Sequence, residues 1–209
     1  MNRLEELART RDDVESFARG YMDYLAEVLE RVDESEVAAF IGTLLDARER
    51  GARIFFMGNG GSAATATHFA NDIAIGSKSW EKPFKASSLS DNVSSITAIA
   101  NDDGYAEIFE QQLRVLMSSG DVVVAISASG NSPNVVRAVE YANANGAVTA
   151  ALTGFDGGEL KRISRLGIHV PTAKGEYGPV EDVHLVLDHV VSSYLLYVLA
   201  RPLEVRGAR

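Results

Sequence analysis

The chain has no cysteine among its 209 residues. It therefore carries no disulfide framework, no thiolate zinc finger, no iron–sulfur cluster and no cysteine nucleophile. Basic residues are in deficit: 20 Lys and Arg stand against 29 Asp and Glu, a formal net charge of -9. That balance argues against a nucleic-acid groove, which needs a basic stripe. It leaves room for a small anion, because backbone N–H groups at a helix N-terminus bind phosphate without a side-chain cation. A long uninterrupted apolar run is also missing. The most apolar stretch, 183–200, is broken by His184, Asp188, His189 and two serines, whereas a spanning helix needs about 20 mainly apolar residues. The opening MNRLEELARTRDD is charged throughout and has no apolar signal core. These absences predict a cytoplasmic protein with neither a membrane nor a nucleic acid as partner.

What is present is a globular composition, 46% hydrophobic and 23% charged, in a length that suits one domain with a sizeable core. Residues 1–50 read as helix. Tyr21, Tyr24, Leu25, Val28 and Leu29 recur at helical spacing, and so do Val37, Phe40, Ile41, Leu44 and Leu45. Asp33 or Ser35 caps the second of these helices and Gly51 ends it. From Ala52 the pattern becomes strand, loop, helix, repeated. Strands are expected at 52–58, 84–89, 121–127, 148–154 and 166–172, and helices at 62–73, 104–118, 132–146 and 181–200. Short apolar strands alternating with helices predict an α/β fold, a single-domain three-layer sandwich around a parallel sheet with right-handed crossovers. The helical segment 1–50 is expected to join the same domain as the α/β core, 51–209. In open parallel sheets ligands sit at the carboxyl ends of the strands, which points to the loops after Met57, Ser127 and Leu152.

Two of those loops carry suitable chemistry. Gly58-Asn59-Gly60-Gly61-Ser62 leaves a strand and enters a helix. Its glycines let a ligand approach the backbone, and the helix N-terminus favours an anion. A plain strand-to-helix turn capped by Ser62 would read the same way. The loop is neither a Walker loop nor a dinucleotide fingerprint, since GNGGSA does not fit G-x-G-x-x-G. Ser127-Ala128-Ser129-Gly130-Asn131-Ser132-Pro133 again joins strand to helix. Ser132 and Pro133 suit the N-cap and first helical positions, but helix capping does not account for Ser127 and Ser129. Three hydroxyls with free N–H groups make an uncharged phosphate cradle. Further along, His68 and Asp72 are four apart and share a helix face. Near the C-terminus, Glu181, Asp182, His184, Asp188 and His189 crowd one helix. An acidic helix start explains Glu181 and Asp182, and explains Asp188 and His189 poorly.

Taken together, the segments GNGGSAATATHFAND (58–72), DNVSSITAIANDDGY (91–105), GDVVVAISASGNSPNVVRA (120–138), ALTGFDGG (151–158) and VEDVHLVLDH (180–189) resemble the sugar isomerase (SIS) family. Within it they resemble the branch that isomerises sedoheptulose 7-phosphate. The resemblance runs from the N-terminal helices to about Leu199. It implies the SIS fold and an aldose–ketose isomerase acting through an enediol, for heptose biosynthesis. It implies that Asn59, Gly60, Gly61, Ser62, Asn101 and Asp102 meet the substrate, with Ser127, Ala128, Ser129 and Ser132 around its phosphate. It implies Asp72 and His189 as the catalytic pair, and a divalent metal, zinc, on His68, Asp72, Glu181 and His189. Asp72 and Glu181 also touch substrate in this reading, and the assembly is a homotetramer. Three positions depart from the family pattern: Asp72 stands for a Glu, Glu181 for a Gln and Ala128 for a Thr. The changes at 72 and 181 leave two histidines and two carboxylates, a good divalent-metal set. Helical spacing alone would sooner cluster Glu181, His184 and Asp188, since Glu181 and His189 are about 12 Å apart in rise. The competing expectations are a non-catalytic phosphosugar-binding or regulatory protein on the same fold, and an isomerase of another phosphosugar.

Overall fold

The computed structural model describes residues 2–199. The expected end of the last helix at Ala200, and the remainder of the 51–209 unit, lie outside the described residues.

Three helices open the chain: α1 (Arg3–Thr10), α2 (Val14–Leu29) and α3 (Glu34–Arg50). Asp33 caps α3, its side chain accepting from the Ser35 N–H, and Gly51 ends it in the left-handed conformation at φ 68°. Five strands follow, β1 (Arg53–Gly58), β2 (Lys85–Ser88), β3 (Val122–Ser127), β4 (Val148–Phe155) and β5 (Leu166–Pro171). They form one sheet in the order β2-β1-β3-β4-β5, every pair parallel. The intervening helices are α4 (Gly61–Asn71), α5 (Val93–Asp102), α6 (Glu110–Leu116), α7 (Pro133–Ala144) and α8 (Gly158–Ile163), and α9 (Tyr177–Leu199) closes the fold.

The β1–β3 and β3–β4 strands alternate faces with period 2. Ile54, Phe56, Val122, Val124, Ile126 and Leu152 face a core shared with α2, α3, α4 and α9. Phe55, Met57, Val123, Ala125 and Ala151 face a second core under α6, α7 and α8. The two cores make the expected three-layer sandwich. Residues 2–50 pack into the first of them through Leu7, Tyr24, Val28, Phe40 and Leu44. Buried Glu176 ties them down further, accepting from the Arg3 N–H at 2.6 Å and the Tyr24 hydroxyl at 2.7 Å. Burial, reinforced by that bond, pushes the Tyr24 hydroxyl up to about 12.

Several sequence expectations need correction. The N-terminal region holds three helices where the periodicity outlined two. The single helix expected at 104–118 is a short 3-10 turn at Tyr105–Glu107 followed by α6. Neither α5 nor α8 was anticipated: α5 fully buries none of its residues and α8 has only 6, so neither prints an apolar stripe long enough to read. α9 starts at Tyr177, a turn before 181. By length and composition α9 could cross a membrane, yet it lays Val183, Leu187, Val191 and Leu195 into the core. Its Leu185, Val186, Val190, Tyr194 and Tyr197 stay exposed.

Candidate active site

The strand order reverses between β1 and β3, because β2 lies on one side of β1 while β4 and β5 continue on the other. At such a switch point the crossovers diverge and leave a crevice at the carboxyl ends of the strands. Both candidate loops open there, the glycine loop from β1 and the serine loop from β3.

The glycine loop owes its path to missing side chains. Any Cβ on Gly58 would collide with the backbone of Ser62. Gly60, at φ 53°, takes the N-cap position of α4 and offers no side-chain cap. Ser62, expected to cap the helix, instead lies inside its first turn and is buried. The leading N–H groups of α4 thus face the crevice without a side-chain acceptor of their own helix, the arrangement that favours an anion. Asn59 fixes the loop in place. Its amide pairs with that of Asn134 in both directions, at 2.9 and 2.8 Å, and its oxygen also accepts from the Tyr105 hydroxyl at 2.9 Å. The Asn59–Asn134 pair clamps the first loop to the first turn of α7, and so to the end of the serine loop.

In the serine loop the three hydroxyls converge. Ser127 Oγ lies 3.3 Å from Ser132 Oγ and 3.5 Å from Ser129 Oγ. Ser132 takes the N-cap position of α7 with Pro133 after it, but its side chain makes no capping hydrogen bond, so the hydroxyl stays turned toward its neighbours. Ala128, between the serines, is buried and contributes no hydroxyl. The loop is braced from behind. The Gly130 carbonyl accepts from the Leu160 N–H at 2.9 Å, and Asn131 Oδ1 accepts from the Glu159 N–H at 3.0 Å. A side chain on Gly130, at φ 63°, would collide with the Gly157 carbonyl.

Two turns along α4, a cluster of ionisable groups bridges to α9. His68 Nε2 lies 3.6 Å from Asp72 Oδ2 and 3.9 Å from Asp188 Oδ2. The His68 and His189 rings meet edge to face with centroids 5.1 Å apart. One donor atom from each of His68, Asp72, Asp188 and His189 lies within 4.8 Å of the others. At Asp72 the α-helical ladder gives way to a π-helical turn, Asp72–Gly76, a distortion often found at functional sites. His68 and His189 are exposed, and a cleft of about 540 Å³ beside His68 is lined by Ala63, Ala64, Thr67, Asn71 and Ser90. Asp188 is fully buried, and neither of its oxygens has a hydrogen-bond partner among the described residues. Burial, with the nearby Asp72 charge, pushes its carboxyl up to about 7.

Glu181 is not a member of this cluster. Its carboxylate lies over Gly61, where any Cβ would collide with it. Burial and the neighbouring Asp182 raise its carboxyl above the ordinary range. Nor does the spacing-based set of Glu181, His184 and Asp188 come together. His184 turns into the core, its Nε2 3.4 Å from the Thr153 carbonyl oxygen, and burial holds its imidazole down to about 4. Asn101 and Asp102 sit exposed at the end of α5, bonded to each other at 2.8 Å. Two residues with a part in this geometry escaped the sequence reading, Asn134 and Tyr105, and Asp188 was singled out there without being placed with His68, Asp72 and His189. Asn134 and Tyr105 reach Asn59 across 75 and 46 residues, and no local pattern signals such contacts.

The SIS domain model matches residues 20–154 of the chain. The phosphoheptose isomerase of Geobacter metallireducens is 41% identical over 165 residues, covering 79% of this chain and 86% of that protein. The phosphoheptose isomerase of Geobacter sulfurreducens is 39% identical over 180 residues, covering 86% and 94%. Among solved structures, the phosphoheptose isomerase of Neisseria gonorrhoeae superposes with a TM-score of 0.80 at 28% identity, covering 88% of this chain and 98% of that one.

Proposed function

Because the chain belongs to the SIS-domain family and stands among its phosphoheptose isomerases, we infer that it is an aldose–ketose isomerase. It converts sedoheptulose 7-phosphate into a heptose 7-phosphate for heptose biosynthesis. The observation that best supports this reading is the meeting of two phosphate-type loops at the switch point of the sheet, next to a carboxylate–imidazole cluster.

In our reading the serine loop takes the distal phosphate. Ser127, Ser129 and Ser132 donate hydroxyls, the backbone around Ala128 lends N–H groups, and no arginine clamp is needed. Asn59, Gly60, Gly61 and Ser62 hold the sugar against the start of α4, with Glu181 above them. Asn101 and Asp102 meet the sugar from the exposed end of α5. Fixing the phosphate and chain sets the register of C1 and C2 against the cluster.

Isomerisation moves one hydrogen from C1 to C2 and one hydroxyl proton from the C1 oxygen to the C2 oxygen. Asp72 removes a proton from C1 and returns one to C2. His189 donates a proton to the carbonyl oxygen on C2 and accepts one from the C1 hydroxyl. An enediol stands between the two halves, and neither residue changes its protonation over a full turnover. A carboxylate and an imidazole suit these two tasks. The cluster also fits a divalent cation. Its imidazoles and carboxylates are donor types that zinc takes, and one donor atom from each of the four residues lies within 4.8 Å of the others. We assign His68, Asp72 and His189 as ligands, with zinc as the ion. Such an ion, when bound, supplies Lewis-acid stabilisation to the developing negative oxygen.

We further propose a homotetramer in the cytoplasm. The exposed stripe of Leu185, Val186, Val190, Tyr194 and Tyr197 on α9 runs past His189, and an apolar helix face of that extent is normally covered. The reading is tested by incubating the purified protein with a panel of ketose and aldose phosphates. Selective turnover of sedoheptulose 7-phosphate supports it. Turnover of another phosphosugar reassigns the substrate, and binding without turnover of any makes the protein a regulatory or binding member of the fold.

A further inference from the structure

We propose that Asp188, and not Glu181, supplies the second carboxylate of the metal site, so that the ion is held by His68, Asp72, Asp188 and His189. The inference rests on the metal-binding part of the reading above and changes its ligand set.

Asp188 is fully buried, and its immediate helix neighbours toward the core are Leu187, Val191 and His184. Neither carboxylate oxygen has a hydrogen-bond partner among the described residues. An ionised group left so costs several kcal/mol, and nothing in the surrounding apolar packing offsets it. A cation does. The orphaned carboxylate is aimed at the cluster, with its Oδ2 3.9 Å from His68 Nε2. It belongs to the one group of ligand atoms among the described residues that all lie within 4.8 Å of one another. Two aspartates facing each other repel when the site is empty and are neutralised by one divalent ion when it is filled. Two imidazoles with two carboxylates also match the nitrogen–oxygen preference of zinc and its neighbours.

Glu181 is placed for something else. It lies over Gly61, where only a glycine leaves it room, and it precedes His189 by more than two helical turns. That position is at the glycine loop, on the substrate side. The two aspartates then divide the work. Buried Asp188 has nowhere to go and anchors the ion. The Asp72 side chain, 23% exposed, borders solvent and is able to reach a bound sugar.

The test uses the full chain, stripped with a chelator and titrated with Zn²⁺ and, separately, Co²⁺. Stoichiometry is read by elemental analysis, affinity by competition, and ligand geometry by the visible absorption of Co²⁺. Asp188→Asn should weaken zinc by about a hundredfold or more, beyond what loss of an outer-shell partner costs, and should change the Co²⁺ spectrum. Asp188→Ala should do the same, and its metal-free form should melt no lower than the metal-free parent, because an unpaired buried charge is gone. Glu181→Gln should bind one ion per chain with the parent's spectrum. Parent-like affinity in both Asp188 variants, or loss of the ion in Glu181→Gln, overturns the ligand set. A parent that binds no ion overturns this inference and the metal assignment together, while the isomerase reading stands or falls on proton exchange.

Discussion

Ser132 offers a perturbation in which binding and folding separate. A serine at a helix N-cap usually holds the first turn together, and its loss then costs about 1 kcal/mol. Here the side chain makes no capping bond. Its contact within the chain is the neutral hydroxyl of Ser127 at 3.3 Å, a bond of about 0.5–1 kcal/mol at most. Ser132→Ala should therefore lower the melting temperature by no more than about 2–4 °C, the shift expected per kcal/mol in a domain of this size. Against a phosphate the same hydroxyl makes a charge-assisted bond of about 1.5–3 kcal/mol. At 1.4 kcal/mol per decade, its removal should raise KM for sedoheptulose 7-phosphate by about 10- to 150-fold. Adding Ser129→Ala should weaken binding further by less than the product of the single effects, since neighbours on one phosphate couple. Steady-state kinetics and a melting curve on the same preparations decide the matter. An unchanged KM refutes phosphate binding by this hydroxyl. An unchanged KM with a large drop in melting temperature makes Ser132 an element of the fold.

Gly61→Ala should leave stability nearly unchanged, because alanine favours a helix and the atoms it meets end a flexible Glu181 side chain. It should nevertheless cut kcat/KM about tenfold by displacing that carboxylate, roughly the effect of losing one polar contact to substrate; parent-like kinetics would remove Glu181 from the substrate site. His184 stays neutral in the native protein down to about pH 4, while the unfolded chain protonates it near 6.5. Its contribution to stability is present above pH 6.5 and is lost as pH falls toward 4, by about 3 kcal/mol. Asp188, raised to about 7, titrates in the same window with the opposite sign. The loss is therefore best read by denaturant melts in an Asp188→Asn background without metal, where a flat profile from pH 7 to 4 would contradict the burial argument. Light scattering should give four chains per particle, and Tyr194→Glu with Val190→Glu on the exposed face of α9 should yield smaller species. A stable active monomer of the parent would refute the assembly.

The sheet was legible because each strand is a short apolar run bounded by loop residues, and all five fall within a residue or two of where the pattern puts them. The two candidate loops were legible for the same reason: each follows a strand and carries its distinctive residues consecutively. The histidine–aspartate cluster was half legible. His68 and Asp72 are one helical turn apart, so spacing alone pairs them. On α9 spacing misleads, because Glu181, His184 and Asp188 share a nominal face yet go to three places: the glycine loop, the core and the cluster. What sends them apart is the packing of α9 against α4 and the sheet, and that is tertiary information. Asn134 and Tyr105 were invisible for a related reason, since their partner Asn59 is distant in sequence. The short or shallow helices α5 and α8 bury too little to impose a period.

The isomerase account is tested most directly by hydrogen exchange at the sugar. The parent protein, incubated with sedoheptulose 7-phosphate in deuterated water, should place deuterium at C2 of the aldose product and, through the reverse step, at C1 of the recovered ketose, as read by NMR. Asp72→Asn keeps the side chain's shape and removes its basicity. It should bind the sugar phosphate with affinity close to the parent's and melt within a few degrees of it, yet show neither exchange nor product. Exchange by Asp72→Asn at a rate near the parent's would contradict the assignment of the carbon base. Absence of exchange in the parent itself, with the sugar bound, would contradict the enediol mechanism.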